Sequence, residues 1–595
     1  MVGTRTRPPL CLWDRAGAPL GRYAVEMLRA EGVTGADDLD VSAGVWPADA
    51  LAGRQALVVA PCRPETGAEA AALAALRAGT GVVWLRPTVA TAHALGLDGG
   101  GPRVAPDFYV APERHHPLSL PAMEGPLQFH GAADLYDRPP SPESVVAWVA
   151  GRDWPMPHPA VVVGRYGTGR FAVFAYDLAT STVLFRQGRP ELASTGPAPD
   201  SDGDGVFAPN DLFQGHLDVD RRHIPQADLQ QRLLLRLLAW TSEGSGPLAR
   251  LWPFPAAAPA ICLINGDSDG MTRPQLERYV GMTEAYGGRY TIYLMEQHYE
   301  EVPPALAADY RARGHSLGPH LWHSLRPDPP TFARHIGEEI GRFAARYGEA
   351  PRTTRHHCVV WPGWVETARA LADNGIRLET NYRAAERYQS GYLTGSGLPM
   401  RFIESGGAFV ECFQQETLLC DDYLLVDKSF LRPLDEAEAI VLSRALIDAA
   451  VDRFHTAVQM YFHPVYSTGL RVRTGQFIRT AGWLEAVLEH CRARGVPMPS
   501  TDAWCRFAER RRSTILAAQE WDEGAGELRL TIRSAEGLPG ATLVLPAEHG
   551  GRPATGLLAG GDALPFAQRD LDGRPCVLAT LDVGAGELAF TARYG

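Results

Sequence analysis

From Ala260 to Arg494 short apolar runs alternate with amphipathic segments, and that rhythm constrains the chain more than any other feature. Ala260–Asn265 (AICLIN) has the length and continuity of a strand buried on both faces. Thr291–Met295, Thr353–Trp361, Arg377–Tyr382 and Ala457–Phe462 repeat the pattern. Between them, Thr331–Tyr347 sets Phe332, Ile336, Ile340, Phe343 and Tyr347 along one helical face, and Asp435–Phe454 and Ala481–Arg494 read as further helices. Units of strand then helix, repeated over roughly 250 residues, predict a distorted (β/α) barrel whose chemistry sits where strands end and loops begin.

The flanking segments differ from this middle one and make the chain an α/β multidomain protein. Upstream, Leu10–Trp13, Ala56–Ala60 and Val82–Leu85 alternate with helical Tyr23–Glu31 and Gly67–Arg77, which predicts a parallel sheet with helices on both faces. Ala160–Val163 and Arg170–Tyr176 flank Gly167-Thr168-Gly169 as a hairpin, and Asp228–Trp240 reads as a closing helix. The Gly- and Ser-rich Thr241–Pro247 and the Pro-rich Trp252–Pro259 mark a linker near residue 250. Beyond about Ser513, Glu527–Ser534 alternates Leu528, Leu530 and Ile532 with Arg529, Thr531 and Arg533, and Gly-rich turns separate the later strands. That is the pattern of a small antiparallel β-sandwich with a packing or binding role. The expected division is 1–250, 251–512 and 513–595.

Composition excludes several classes. Fifty-seven Lys and Arg against 69 Asp and Glu leave a net charge of −12, which argues against a nucleic-acid partner. No apolar run approaches the ~20 residues of a membrane span. Nine cysteines without CxxC spacing read as reduced thiols rather than a disulfide framework. The apolar stretch Pro8–Trp13 is shorter than the ~7–15 residues of a signal-peptide core, so a cytoplasmic location is expected.

The residues that could carry chemistry cluster at the middle segment's strand ends. Asp267 and Asp269 leave the first strand, with Gly270 allowing a sharp turn. His315, His320 and His323 lie within nine residues, Arg355-His356-His357 follows another strand, and His463-Pro464 ends a late one. One carboxylate with two imidazoles is a common set for an open catalytic Zn²⁺ or similar divalent ion. His320 and His323, three apart, would face one way in a helical turn. Each group alone would read as a capped turn or a satisfied core residue. Four clusters at strand ends of one barrel-like segment instead point to a metal-hydrolase site.

The order of an Asp-bearing turn, GHxxGxH, an Arg-bearing strand and a strand ending in His-Pro resembles the polysaccharide deacetylase (NodB-homology, carbohydrate esterase) family over residues 255–510. The resemblance implies Asp267 as catalytic base, Asp269 as metal ligand, Arg355 as the residue orienting Asp267, and His463 as general acid. It implies His320 as a second ligand, with His323 the choice for the third although strict alignment puts Ser324 there. Without one extra residue in the first turn, Ser268 would take the place of Asp269. The implied reaction removes N-acetyl or O-acyl groups from a carbohydrate with a metal-activated water. A silent glycan-binding scaffold and an amidohydrolase acting on a non-sugar amide are the alternatives, and the family implies an extracytoplasmic location. Trp322, Trp361, Trp364, Tyr382 and Tyr466 are candidates for stacking on sugar rings, with core packing the commoner role.

The first segment resembles the class I glutamine-amidotransferase-like (flavodoxin-like) domains through Leu57–Pro61, the helix after it and Trp84-Leu85-Arg86-Pro87. It lacks their Gly-x-Cys-x-Gly nucleophile turn, since Cys62 sits in Pro61-Cys62-Arg63-Pro64. A structural or glycan-binding domain is therefore expected. Asp200–Gly205 with Asp211 at the twelfth position matches part of a calcium loop, though Pro209 interrupts the exit, and a solvated acidic loop is the simpler reading.

Overall fold

The computed structural model describes residues 4–47, 49–194, 205–384, 390–426, 432–472 and 475–595. In the first segment Asp37–Asp40, Leu10–Trp13, Ala56–Val59, Gly81–Leu85 and Gly169–Phe174 lie side by side, all parallel. The same sheet then continues antiparallel through Pro155–Tyr166, Val145–Ala150, Tyr109–Pro112 and Leu127–Gln128. The expected parallel sheet is thus one half of a mixed sheet. The reason is local: Tyr166 pairs with Gly169 across a two-residue turn with Gly167 at φ +62°, and a turn that short can only reverse the chain. Cys62 is buried with its Sγ donating to the Ala60 carbonyl at 3.2 Å, and burial pushes its thiol pKa up, away from nucleophilic use.

The middle segment forms one nine-stranded sheet, in the order Met400–Ile403, Phe409–Gln414, Leu378–Glu379, Thr353–His356, Ser316–Leu321, Tyr290–Leu294, Ile261–Asp267, Ala457–Tyr461 and Leu419–Cys420. Every neighbouring pair is parallel except the first, a hairpin at one edge. The end strands do not pair with each other, so the curled sheet stays open where a closed barrel would join. Ile261 and Leu263 face one core while Cys262 and Ile264 face another, which is why AICLIN is apolar at every position.

The segments are not packed as separate bodies. One core runs from Met27 and Leu28 through Leu229 and Leu233 to Trp361, Leu371 and Phe402, joining the first segment to the second. A buried ion-pair cluster crosses the same boundary. Glu26, on the helix Tyr23–Ala30, accepts hydrogen bonds from the Arg401 amide at 3.0 Å and from Arg512 Nη1 at 2.8 Å. In the last segment Leu528, Leu530 and Ile532 turn into a core shared by two antiparallel sheets. Thr4–Thr6 adds to one of these sheets and Arg250–Leu251 to the other, so both ends of the first segment are built into the last.

Residues 200–204 of the acidic loop lie outside the described residues. Asp211, in the short turn Pro209–Phe213, is buried and accepts the Ala208 amide at 2.9 Å. None of the nine cysteines is in a disulfide, and no described helix is long and apolar enough to cross a membrane.

Candidate active site

Five adjacent parallel strands, from Thr353–His356 across to Ala457–Tyr461, bring their carboxyl ends to one place. Asn265 and Asp267 share a face of Ile261–Asp267, two residues apart. Asn265 pairs in register with Tyr461 on one side, and on the other side of the sheet His320 pairs with Arg355. The approach is close: a Cβ on Gly266 would stand 2.0 Å from both the Phe462 carbonyl and the Tyr290 hydroxyl, so glycine alone fits there. Gly270, at φ +62°, makes the turn after Asp269.

The turn resolves which residue reaches the site. Ser268 faces away, its hydroxyl accepting from the Met295 amide at 2.9 Å and lying 3.1 Å from Nδ1 of His298. Asp269 faces in, with Oδ1 3.6 Å from Nε2 of His320 and Oδ2 3.5 Å from Nε2 of His357. Asp267 Oδ2 is 3.4 Å from the same His320 nitrogen. His323 is not brought to this cluster. Its Nδ1 lies 2.9 Å from the Ser324 hydroxyl, and its ring packs by His335 at 4.5 Å and Phe332 at 6.0 Å. The spacing argument failed because His320 ends a strand rather than opening a helical turn, so residues three apart diverge.

His357 stands where His323 was expected. The adjacent His356 points to the core, with Nδ1 2.8 Å from the Val360 carbonyl and its ring against Trp361. His357 starts a tight turn in which Cys358 and Val359 both hold positive φ, at 54° and 48°. Burial, then the neighbouring His320, lowers His357 to about 3, and burial holds His320 well below its ordinary range, so both rings are neutral ligand donors at pH 7.

The donor set suits a divalent cation. His320 gives its Nδ1 proton to the Arg355 carbonyl at 2.9 Å, which fixes the tautomer and leaves Nε2 a lone pair facing the two aspartates. That Nε2 is buried without a hydrogen bond, as are Oδ1 of Asp267 and Oδ1 of Asp269. Buried polar atoms left unpaired are costly, and His320 Nε2 and Asp269 Oδ1, which face each other at 3.6 Å, are what a bound ion would satisfy, whereas Asp267 Oδ1 faces Arg355. Burial first, and then the charge of Asp267, pushes Asp269 up to about 7 in the absence of any cation. Asp269, His320 and His357 are thus the residues that could hold a metal.

The other side of the site is built for proton transfer. Arg355 is fully buried, with Nη1 3.5 Å from Asp267 Oδ1 and Nη2 donating to Asn265 Oδ1 at 2.9 Å and Thr417 Oγ1 at 3.1 Å. Burial raises the Asp267 carboxyl, and Arg355 opposes that rise. Asp421 lies 2.6 Å from Nδ1 of His463 and accepts the His463 amide at 2.7 Å. Burial alone would depress His463, but the Asp421 charge and hydrogen bond outweigh it and hold the ring at about 9. The Tyr461 hydroxyl bridges the two halves, donating to Asp267 Oδ2 and lying 2.6 Å from His463 Nε2.

Sequence reasoning missed Asp421, Tyr461 and the ligand position of His357. A signal existed for each: Asp421 follows directly on the short strand Leu419–Cys420, and Tyr461 stands two before His463 on the same face. Cys420, Asp421 and Asp422 form a tight group, but Cys420 donates to Asp422 and Asp421 is committed to His463, so the group supplies counter-charge to the imidazole. Of the five aromatic candidates, Trp361, Trp364 and Tyr382 are core residues. Trp322 is 46% exposed with its ring 4.1 Å from His357, and Tyr466 lies 5.6 Å from His463, so these two line the site.

No protein-family model matches the chain, and no curated protein does. Among solved structures, similarity is found to a Mycobacterium smegmatis protein assigned to the polysaccharide deacetylases, at 17% identity and TM-score 0.34, covering 44% of this chain and 94% of that one. A chitin deacetylase of the fungal pathogen Colletotrichum lindemuthianum matches at 11% identity and TM-score 0.26, over 42% of this chain and 88% of its own. A family 4 acetyl xylan esterase from Clostridium thermocellum, solved with a cobalt ion, matches at 13% and 0.25, over 41% and 89%. Scores this low leave the assignment to the side chains of the site.

Proposed function

We propose that the chain is a metal-dependent hydrolase that removes an N-acetyl or O-acyl group from a carbohydrate. The observation that carries the reading is the convergence of Asp269, His320 and His357, with unpaired buried atoms, between a base held by Arg355 and an acid held by Asp421. A divalent cation, zinc being the natural choice for one carboxylate and two imidazoles, would supply Lewis acidity toward water and an acyl oxygen. Asp267 accepts a proton at Oδ1 or Oδ2 while Arg355 keeps its charged form competitive despite burial. His463, protonated at neutral pH, presents Nε2 to the leaving amine or alcohol, and Asp421 fixes the ring through Nδ1. Trp322 and Tyr466 offer aromatic faces to a sugar ring at the rim.

A second reading, a silent glycan-binding scaffold, is favoured by Tyr461, whose hydroxyl occupies the space between base and acid. Metal analysis and acetate release from N-acetylated oligosaccharides separate the two. The hydrolase reading expects stoichiometric metal and acetate release that His320→Ala abolishes. Less than about 0.1 ion per chain after reconstitution, with His320→Ala indistinguishable from the parent, would sink it.

A further inference from the structure

A second cleft lies between the helix Gln226–Thr241 and the last segment, and it shares no residue with the site above. It encloses about 450 Å³, within the range of small-molecule pockets. Three guanidinium groups line it without a carboxylate partner among the described residues. Arg236 donates to the backbone carbonyls of Ser119, at 2.7 Å, and Asp572. Arg250 donates to the Glu31 carbonyl at 3.3 Å and rests on the Trp252 ring. Arg574, half-buried at the start of Arg574–Val583, pairs through its backbone with Leu571, and its guanidinium has no hydrogen bond or ion pair among the described residues.

The acids nearby are already engaged or turned to solvent. Glu243 pairs with Arg170, Asp572 stands 3.8 Å from Arg232, and Glu548 is exposed at the rim. Burial and then the facing charge of Arg574 lower Arg236 to about 10, as expected of like charges with too little compensation. The rest of the wall is largely apolar, with Leu235, Leu248, Pro546 and the indole of Trp240, and it includes His549 and Cys576. Guanidiniums that feel Glu243, Asp570 and Asp572 at a distance but form an ion pair with none of them, beside a largely apolar floor, match an anion joined to an apolar face, and the planar guanidinium suits a carboxylate in particular.

We propose that this cleft binds a small organic carboxylate, its charge held between Arg236 and Arg574 and its body lying along Leu235 and Trp240. The body is either an alkyl or aryl group or the face of an acidic sugar. Such a ligand would touch the first and last segments at once and tie them together.

Isothermal titration of the full chain with 4-phenylbutanoate, glucuronate and the neutral 4-phenylbutanamide tests this. Saturable one-to-one binding of either acid is expected, with the amide weaker by about tenfold or more. Arg574→Ala should weaken the bound acid by at least about tenfold and Arg574→Lys by less, because a point charge replaces a fork. Arg574 has no partner to strand, so both variants should melt with the parent. Binding of glucuronate alone, or of phenylbutanoate alone, supports the cleft and says which body it takes. Failure of both acids, or equal affinity in Arg574→Ala, overturns the proposal.

Discussion

Glu26 offers the sharpest test of how the segments are joined. Its carboxylate accepts hydrogen bonds from Arg401 Nε and Nη2, both at 3.2 Å, and Arg512 Nη2 stands 2.6 Å away as an ion pair, in addition to the contacts described above. Burial would raise its pKa, but Arg512 and Arg401 outweigh burial and lower it from 4.5 to about 2. Because the folded value is depressed, the stability it contributes is present above pH 4.5 and is lost as pH falls through about 2. The difference corresponds to roughly 3 kcal/mol at neutral pH. Glu26→Gln should cost about 3–5 kcal/mol, since it strands the buried Arg512 guanidinium and leaves Arg401 only Glu411. Urea unfolding of parent and variant from pH 7 down to pH 3 reads both quantities, and the gap between them should narrow as pH falls below 4.5. A second replacement, Arg512→Met in the Glu26→Gln background, should recover part of the loss because it removes one stranded charge. A gap under about 1 kcal/mol at pH 7, or one that does not change with pH, would refute the reasoning.

Three further outcomes follow from the site. His357→Ala should lower zinc affinity by about tenfold or more while His323→Ala leaves it unchanged, measured by competition with a chelator; the reverse order would restore the ligand set read from spacing. Asp421→Asn should move the alkaline limb of the pH–rate profile down from about 9, because burial of His463 is then opposed only by the charges of Asp422 and Asp269, and an unmoved limb would remove His463 from the acid role. Tyr461→Phe deletes the hydroxyl between Asp267 and His463 while keeping the ring that carries Arg355 at 4.0 Å. On the hydrolase reading it changes kcat and the pH profile with little loss of stability, and an unchanged kcat would leave the hydroxyl a spectator.

The sequence by itself determined the rhythm of the buried strands and the ends of the first and last of them. Asp267, Asp269 and His463 were legible there because a buried parallel strand must be apolar along its length, so a polar residue at its carboxyl end stands out. His320 and Arg355 stand out instead by the order of the motifs: the apolar pattern marks no strand over Ser316–Leu321, and the one it marks over Thr353–Trp361 ends at His356. The same logic identified Leu528, Leu530 and Ile532 as one inward face, since period-two alternation follows from the pleat. What a one-dimensional pattern lacks is the direction in which each side chain leaves its turn. Whether Ser268 or Asp269 faces inward depends on the Met295 amide, which lies just past the end of the neighbouring strand and captures the serine hydroxyl. Whether His323 or His357 meets Asp269 depends on backbone angles past two strand ends, 34 residues apart along the chain and side by side in space.

Tertiary structure alone also decided the pairing of Asp421 with His463, which are remote in sequence, and with it the charge on the imidazole. It likewise decided how the segments join. The expected boundary near residue 250 rested on a real change of composition. Composition carries no record of Glu26 crossing to Arg401 and Arg512, or of Thr4–Thr6 pairing with Ile515–Asp522. Ion pairs and sheet edges are set by distance in the folded chain, where burial gives a single carboxylate leverage that its place in the sequence does not reveal.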